Sequence, residues 1–178
     1  MQEHDQQPKK TVTATFRVSE RVYQSLQAEA KKQDTSLNTL VNQMLDVHVD
    51  DSVYLAKIGY MRIAKSTFKR LVESSADQTL REIGFSAGVE NVRTITLARS
   101  GALTQETILE TLFMFAEFSG YARYSESESN GKRVLVLNHD LGTKGSLFIG
   151  SLVSAAFSLI ERFPKVTLGD RSVVIEFQ

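Results

Sequence analysis

Residues 104–178 carry one order of elements twice, and no other feature of the sequence restricts the fold as much. In the first copy an apolar helical stretch over 104–119 leads to the extended segment YARYSES, a turn at Asn130-Gly131 and the strand pattern KRVLVLNH. In the second, a helical stretch over about 144–163 leads past Pro164 to KVTL, a turn at Gly169-Asp170 and SVVIEF. Asn-Gly between extended segments is a hairpin signal, because both central turn positions need positive φ. Two α-β-β units pair naturally into a four-stranded antiparallel sheet with both apolar helices on one face, a two-layer α+β domain. Phe113, Phe115 and Phe118 of the first helix, then Phe148, Phe157 and Phe163 of the second, supply its core. The acidic SESES run at 125–129 reads as a soluble hairpin tip.

Upstream of this repeat the pattern is helical. Over 53–72, Tyr54, Ile58, Met61, Phe68 and Val72 recur at three- and four-residue steps between Lys57, Arg62, Lys65, Lys69 and Arg70, which predicts an amphipathic helix with a solvated basic face. Residues 76–100 mix helical spacing with Gly84 and Gly88, and the β-branched run from Val92 to Leu97 fits helix or strand. The segment reads as mostly helical. The expected organisation is a flexible arm over 1–10, a small module over 11–50, a linker helix over 51–75 and an α+β domain over 76–178 for oligomerisation or ligand sensing.

The small module has its own logic. From residue 11 to 18, Val12, Ala14, Phe16 and Val18 alternate strictly with Thr11, Thr13, Thr15 and Arg17, the signature of a strand with one buried face. Ser19 follows as a helix N-cap, with Glu20 favourable to the helix dipole. Val22, Leu26 and Ala30 then mark a helix to about Lys32. After the polar KKQDTS, Ser36 caps a second helix through Leu37, Leu40, Val41, Met44, Leu45 and Val47. A strand and two short helices bury too little apolar surface to fold alone, so the module needs a partner. A second copy supplies one. Two antiparallel strands would form a ribbon whose apolar face packs on the helices and whose polar face is left outside. Such a ribbon fits the major groove of B-DNA, where Arg donates to guanine and Thr offers a hydroxyl or a methyl to base edges.

These residues resemble the ribbon-helix-helix family of repressors, the Arc- and MetJ-like β-ribbon readers. The resemblance covers residues 11–49 and rests on TATFRVSERV and DTSLNTLVNQML. It implies that Thr13, Thr15 and Arg17 read bases, and that Ser36, Leu37 and Asn38 form the phosphate clamp at the second helix's N-terminus. Lys9 and Lys10 would add phosphate contacts from the arm. Where many members have Gly in the turn between the helices, this chain has Asp34.

Composition narrows the alternatives. Formal net charge is zero, which argues against binding nucleic acid by bulk electrostatics. The distribution is uneven, however: Lys9, Lys10, Arg17, Arg21, Lys31 and Lys32 face only Glu20 and Glu29 in the same stretch, and dimerisation doubles that basic segment. Zero cysteines exclude disulfides, thiolate metal sites and thiol catalysis. No apolar run approaches the roughly 18 residues that span a bilayer, and the first 10 residues are polar, so the expected setting is cytoplasmic with no membrane contact.

In the C-terminal part, NHDLGTKGS places His139 and Asp140 at a strand end, with Gly142, Gly145 and Ser146 at a helix start. Such a loop can cradle an anion, and equally its histidine can simply hydrogen-bond the turn. Ser, His and Asp so close in sequence do not meet as a triad, and no nucleophile elbow is present, so no enzyme activity is expected. His4, His48 and His139 are far apart, which speaks against a metal site, and no cofactor is implied. The sequence therefore points to a sequence-specific DNA-binding transcriptional regulator, a repressor in the family's manner. Double-stranded DNA is the partner, and the protein itself a homodimer or a dimer of dimers. The alternatives are an antitoxin-like protein-interaction module and a small-ligand-binding protein acting through the 139–146 loop.

Overall fold

A computed structural model of the chain describes residues 11–129 and 132–177. The chain divides into two compact units, Met1–Val47 and His48–Gln178.

In the first unit, α1 (Glu20–Lys32) and α2 (Leu37–Val47) lie where the apolar spacing puts them. Ser19 caps α1, its Oγ accepting from the Val22 N–H at 3.4 Å. The helix ends in a Schellman turn, with the Asp34 N–H donating to Lys31 O at 3.3 Å and the Thr35 N–H to Ala30 O at 3.0 Å. Asp34 takes the left-handed position at φ 50°, which Asp tolerates better than most side chains. Ser36 Oγ accepts from the Thr39 N–H at 3.0 Å and so caps α2. The strand expected over 11–18 is not formed: residues 11–19 have no regular secondary structure and all are exposed. A strand needs a hydrogen-bonding neighbour, and none pairs with this segment among the described residues.

The second unit begins with a π-turn over His48–Ser52, one turn of α3 (Val53–Leu55) and a 3₁₀ turn, Ala56–Ile58. The helix expected over 53–72 stops there. Gly59 adopts φ 67°, residues 60–64 are irregular, and α4 (Lys65–Ser74) starts afresh. Leu55 of this segment is buried with Ile95 and Met114. Residues 76–100 are helical as read: α5 (Asp77–Ala87), a π-turn over Gly88–Val92 and α6 (Arg93–Ser100).

The duplicated α-β-β order is present. It runs α7 (Gln105–Ser119), β1 (Ala122–Ser129), β2 (Lys132–His139), then α8 (Gly142–Ser158), β3 (Lys165–Leu168) and β4 (Ser172–Glu176). Thr104 and Thr107 close a capping box that fixes the start of α7. The strands form one antiparallel sheet in the order β1-β2-β4-β3, so the two hairpins join along β2 and β4, with Leu135 opposite Ile175 and Leu137 opposite Val173. Asn130-Gly131 lies outside the described residues, but Ser129 pairs with Lys132 across it. Leu135, Leu137 and His139 alternate on β2 with half-buried Val134 and Val136 and exposed Asn138, and Val173, Ile175 and Phe177 alternate with half-buried neighbours along and beyond β4. That buried face meets Ile108, Leu109 and Leu112 of α7 and Leu152, Val153 and Phe157 of α8 in one core. The second helix differs from expectation at both ends, starting at Gly142 and ending at Ser158, so exposed Phe163 contributes nothing to the core.

Candidate nucleic-acid interface and C-terminal cleft

Thr13, Thr15 and Arg17 are exposed, in the segment without regular structure that leads into α1. Lys9 and Lys10 lie outside the described residues. Ser36 and Asn38 are exposed and Leu37 half-buried in the first turn of α2, beside a hollow of about 790 Å³ that Lys31, Asp34 and Ser36 also line. The first-turn N–H groups of a helix and its dipole favour an anion. Asp34 stands at the same hollow and opposes one, while Lys31 offsets it.

The apolar side of this unit is equally informative. Among described residues up to Val47, only Ala30 and Leu40 are buried. Val12 is 85%, Phe16 69% and Val18 54% exposed, and Met44, Leu45 and Val47 at the end of α2 are exposed as well. Alternate apolar residues that would pack beneath a ribbon are therefore open to solvent in a single chain.

In the 139–146 loop the polar atoms are spent within the protein. The Leu141 N–H donates to His139 Nδ1 at 3.2 Å, which makes Nδ1 the acceptor and leaves the proton on Nε2. Nε2 lies 3.0 Å from Ser146 Oγ, and that hydroxyl in turn donates to Gly169 O at 2.7 Å. The chain of bonds ties the end of β2 to the start of α8 and to the β3–β4 turn. Burial holds the His139 imidazole below its ordinary 6.5; Asp140 and Asp170 oppose the shift and Arg171 adds to it. Gly142 turns the chain at φ 68°. Gly145 is required by space, because a Cβ there would meet Leu141 Cβ at 2.2 Å. The loop behaves as a latch.

Outside the latch lies a cleft of about 540 Å³ lined by Lys65, Arg123, Asn138, His139, Asp140 and Arg171, among others. Asp140 accepts from Lys65 Nζ at 2.5 Å and from Arg171 Nη2 at 3.1 Å. Lys65, through that hydrogen bond, and then Arg171 hold the Asp140 carboxyl below its ordinary 3.8. Of these lining residues the sequence singled out only His139 and Asp140. Lys65 belongs to the helix face that the sequence reads as solvated, and Arg123 and Arg171 carry no motif; they meet because three distant segments converge here. No spacing in the sequence encodes that.

The chain matches no protein-family model, no curated protein and no solved structure.

Proposed function

We propose that the protein is a sequence-specific DNA-binding transcriptional regulator whose N-terminal unit dimerises and places a two-stranded ribbon in the major groove. One observation carries the reading: the alternating side chains Val12, Phe16 and Val18 are exposed on a unit that buries only Ala30 and Leu40 among its described residues. An apolar stripe of that period is costly to leave in water, and a second copy covers it while pairing the strand backbones. The opposite side of the stripe, with Thr13, Thr15 and Arg17, then faces outward as a unit. Ser36, Leu37 and Asn38 hold a backbone phosphate through the start of α2, and Lys9 and Lys10 add contacts of the same kind. The local excess of basic residues supports this use in a chain of zero net charge.

The test is a selection of random duplexes by the full chain at near-physiological salt, repeated with Arg17→Ala and Thr15→Ala. The expected outcome is an enriched palindromic site, with each substitution weakening or relaxing it by roughly 1–3 kcal/mol per lost base contact. A dimer that enriches nothing, and whose weak DNA binding ignores both substitutions, overturns the reading and leaves the N-terminal unit as an assembly device.

A further inference from the structure

The cleft beside the latch has a second compartment. Lys65 and Tyr121 line both the basic cleft and a smaller hollow of about 150 Å³, whose other walls include Tyr60, Met61, Ile63 and Phe68. One compartment is ionic and the other mainly apolar. The two meet at the N-terminus of α4, where Lys65 is the first helical residue.

The charges in the ionic compartment do not balance. Lys65, Arg123 and Arg171 stand against the single carboxylate of Asp140, which is already shared between Lys65 and Arg171. Arg123 makes no ion pair among the described residues. His139 adds no charge near neutrality, since its buried ring is held in the neutral form. A concave site with an excess of one sign concentrates ligands of the other sign. The apolar compartment is also incomplete: Met61 is 76% exposed, and Ile63 is exposed beside it, on the irregular segment that interrupts the helix. Apolar side chains at the mouth of an apolar hollow lose water contact when a tail fills it. Tyr121, whose phenol burial pushes up to about 12, stays protonated and lines both compartments.

We infer that this pair of compartments binds a small amphipathic anion, its carboxylate or phosphate seated by Arg123, Lys65 and Arg171 and its short apolar tail laid between Tyr60, Met61, Ile63 and Phe68. The apolar hollow is small, about 150 Å³, and open at its mouth, so it holds one alkyl chain whose end extends past Met61 and Ile63, and not two chains side by side. Asp140 favours this outcome over tight binding of a bare anion, because it already offsets part of the charge and leaves the tail to add the discrimination. The inference concerns the C-terminal unit alone and holds or fails independently of DNA reading.

The experiment is calorimetric titration of the full chain with octanoate and with octyl phosphate, both below their micellar concentrations. Acetate, inorganic phosphate and 1-octanol serve as controls that carry only the head or only the tail. One saturable site per chain is expected for at least one amphiphile, at least tenfold tighter than for its head alone or for 1-octanol. Which amphiphile wins assigns the head group. Arg123→Ala and Ile63→Ser alter exposed side chains, so both variants should keep the wild-type circular dichroism spectrum, and each should weaken binding at least fivefold. Two results overturn the inference: neither amphiphile binding better than its own head and tail controls, or saturable binding that both variants leave unchanged. A variant with an altered spectrum is replaced by Arg123→Gln or Met61→Ser, judged by the same criterion.

Discussion

His139 shows how a residue with several chemical options is committed to one by its surroundings. Its Nδ1 accepts from a backbone N–H, so a second proton there would set two donors against each other. Burial works in the same direction, and the folded protein holds the ring below its ordinary 6.5. The sign follows from proton counting. Just below that value the unfolded chain binds a proton that the folded chain refuses, so the stabilisation present above 6.5 is lost as pH falls through the folded value. Asp140 and Glu126 are lowered from 3.8 and 4.5, so their contributions are lost only below the range between pH 7.5 and 5.5. Urea unfolding of the full chain followed at pH 7.5 and 5.5 should therefore show the C-terminal unit less stable at the lower pH. His139→Gln should lower stability at pH 7.5 and flatten the dependence between the two. Parallel dependences in wild type and variant would mean that His139 does not titrate against folding.

Among the helices, α5 and the turn that follows it pack close against α8, and glycines permit it. A Cβ on Gly84 would lie 2.4 Å from Phe148 O, and one on Gly88 would lie 2.3 Å from Leu152 O and 2.7 Å from Ala155 Cβ. Both would-be neighbours of the first rank are backbone atoms of α8, which cannot swing aside as a side chain can. Alanine gains about 1 kcal/mol over glycine in helix propensity. Forcing the two helices apart costs about 1–3 kcal/mol, and that term is expected to win. Denaturant unfolding should show Gly84→Ala less stable than wild type by about 1 kcal/mol. Ser86→Ala, exposed on the same helix, should change stability by less than about 0.5 kcal/mol. A neutral or stabilising Gly84→Ala would show that the approach is not required. The same elements show what the sequence could and could not reveal. The repeated α-β-β order was legible because it is written in local signals: period-two alternation in KRVLVLNH and SVVIEF, and turn residues between them. The break at Gly59 was not read, because Tyr54, Ile58 and Met61 keep helical spacing through it, although only Tyr54 and Ile58 pack with the Leu55 cluster. Gly59 itself, a glycine inside the helical pattern and so a candidate left-handed helix stop, is the signal that could have found it. The ionic cleft left no trace in the pattern, since Lys65 and Asp140 are bonded 75 positions apart.

At the scale of the whole molecule the two units obey different rules of stability. The unit His48–Gln178 has a core that joins both hairpins to α7 and α8, with Val92, Ile108, Leu135, Val153, Phe157 and Val173 fully buried. It carries its own driving force. The unit ending at Val47 buries only Ala30 and Leu40 among its described residues, while Phe16, Val18, Met44 and Leu45 remain exposed. So little burial cannot offset roughly 1–2 kcal/mol of backbone entropy per ordered residue. If a second copy supplies the missing surface, the stability of this unit becomes a function of protein concentration, because dimerisation enters its folding equilibrium by mass action. Hydrogen exchange of the full chain read peptide by peptide at two concentrations, one well above and one well below the dimer dissociation constant, separates the units. Protection across α1, α2 and the segment 11–18 should fall together on dilution, and protection in β2, β4 and α8 should stay. Protection of 11–18 is the decisive part, since it appears only where the strand has found its partner. If α1 and α2 stay protected at every dilution with 11–18 unprotected throughout, the module folds as a monomer without a ribbon, and its threonines and Arg17 have no rigid surface from which to read a base.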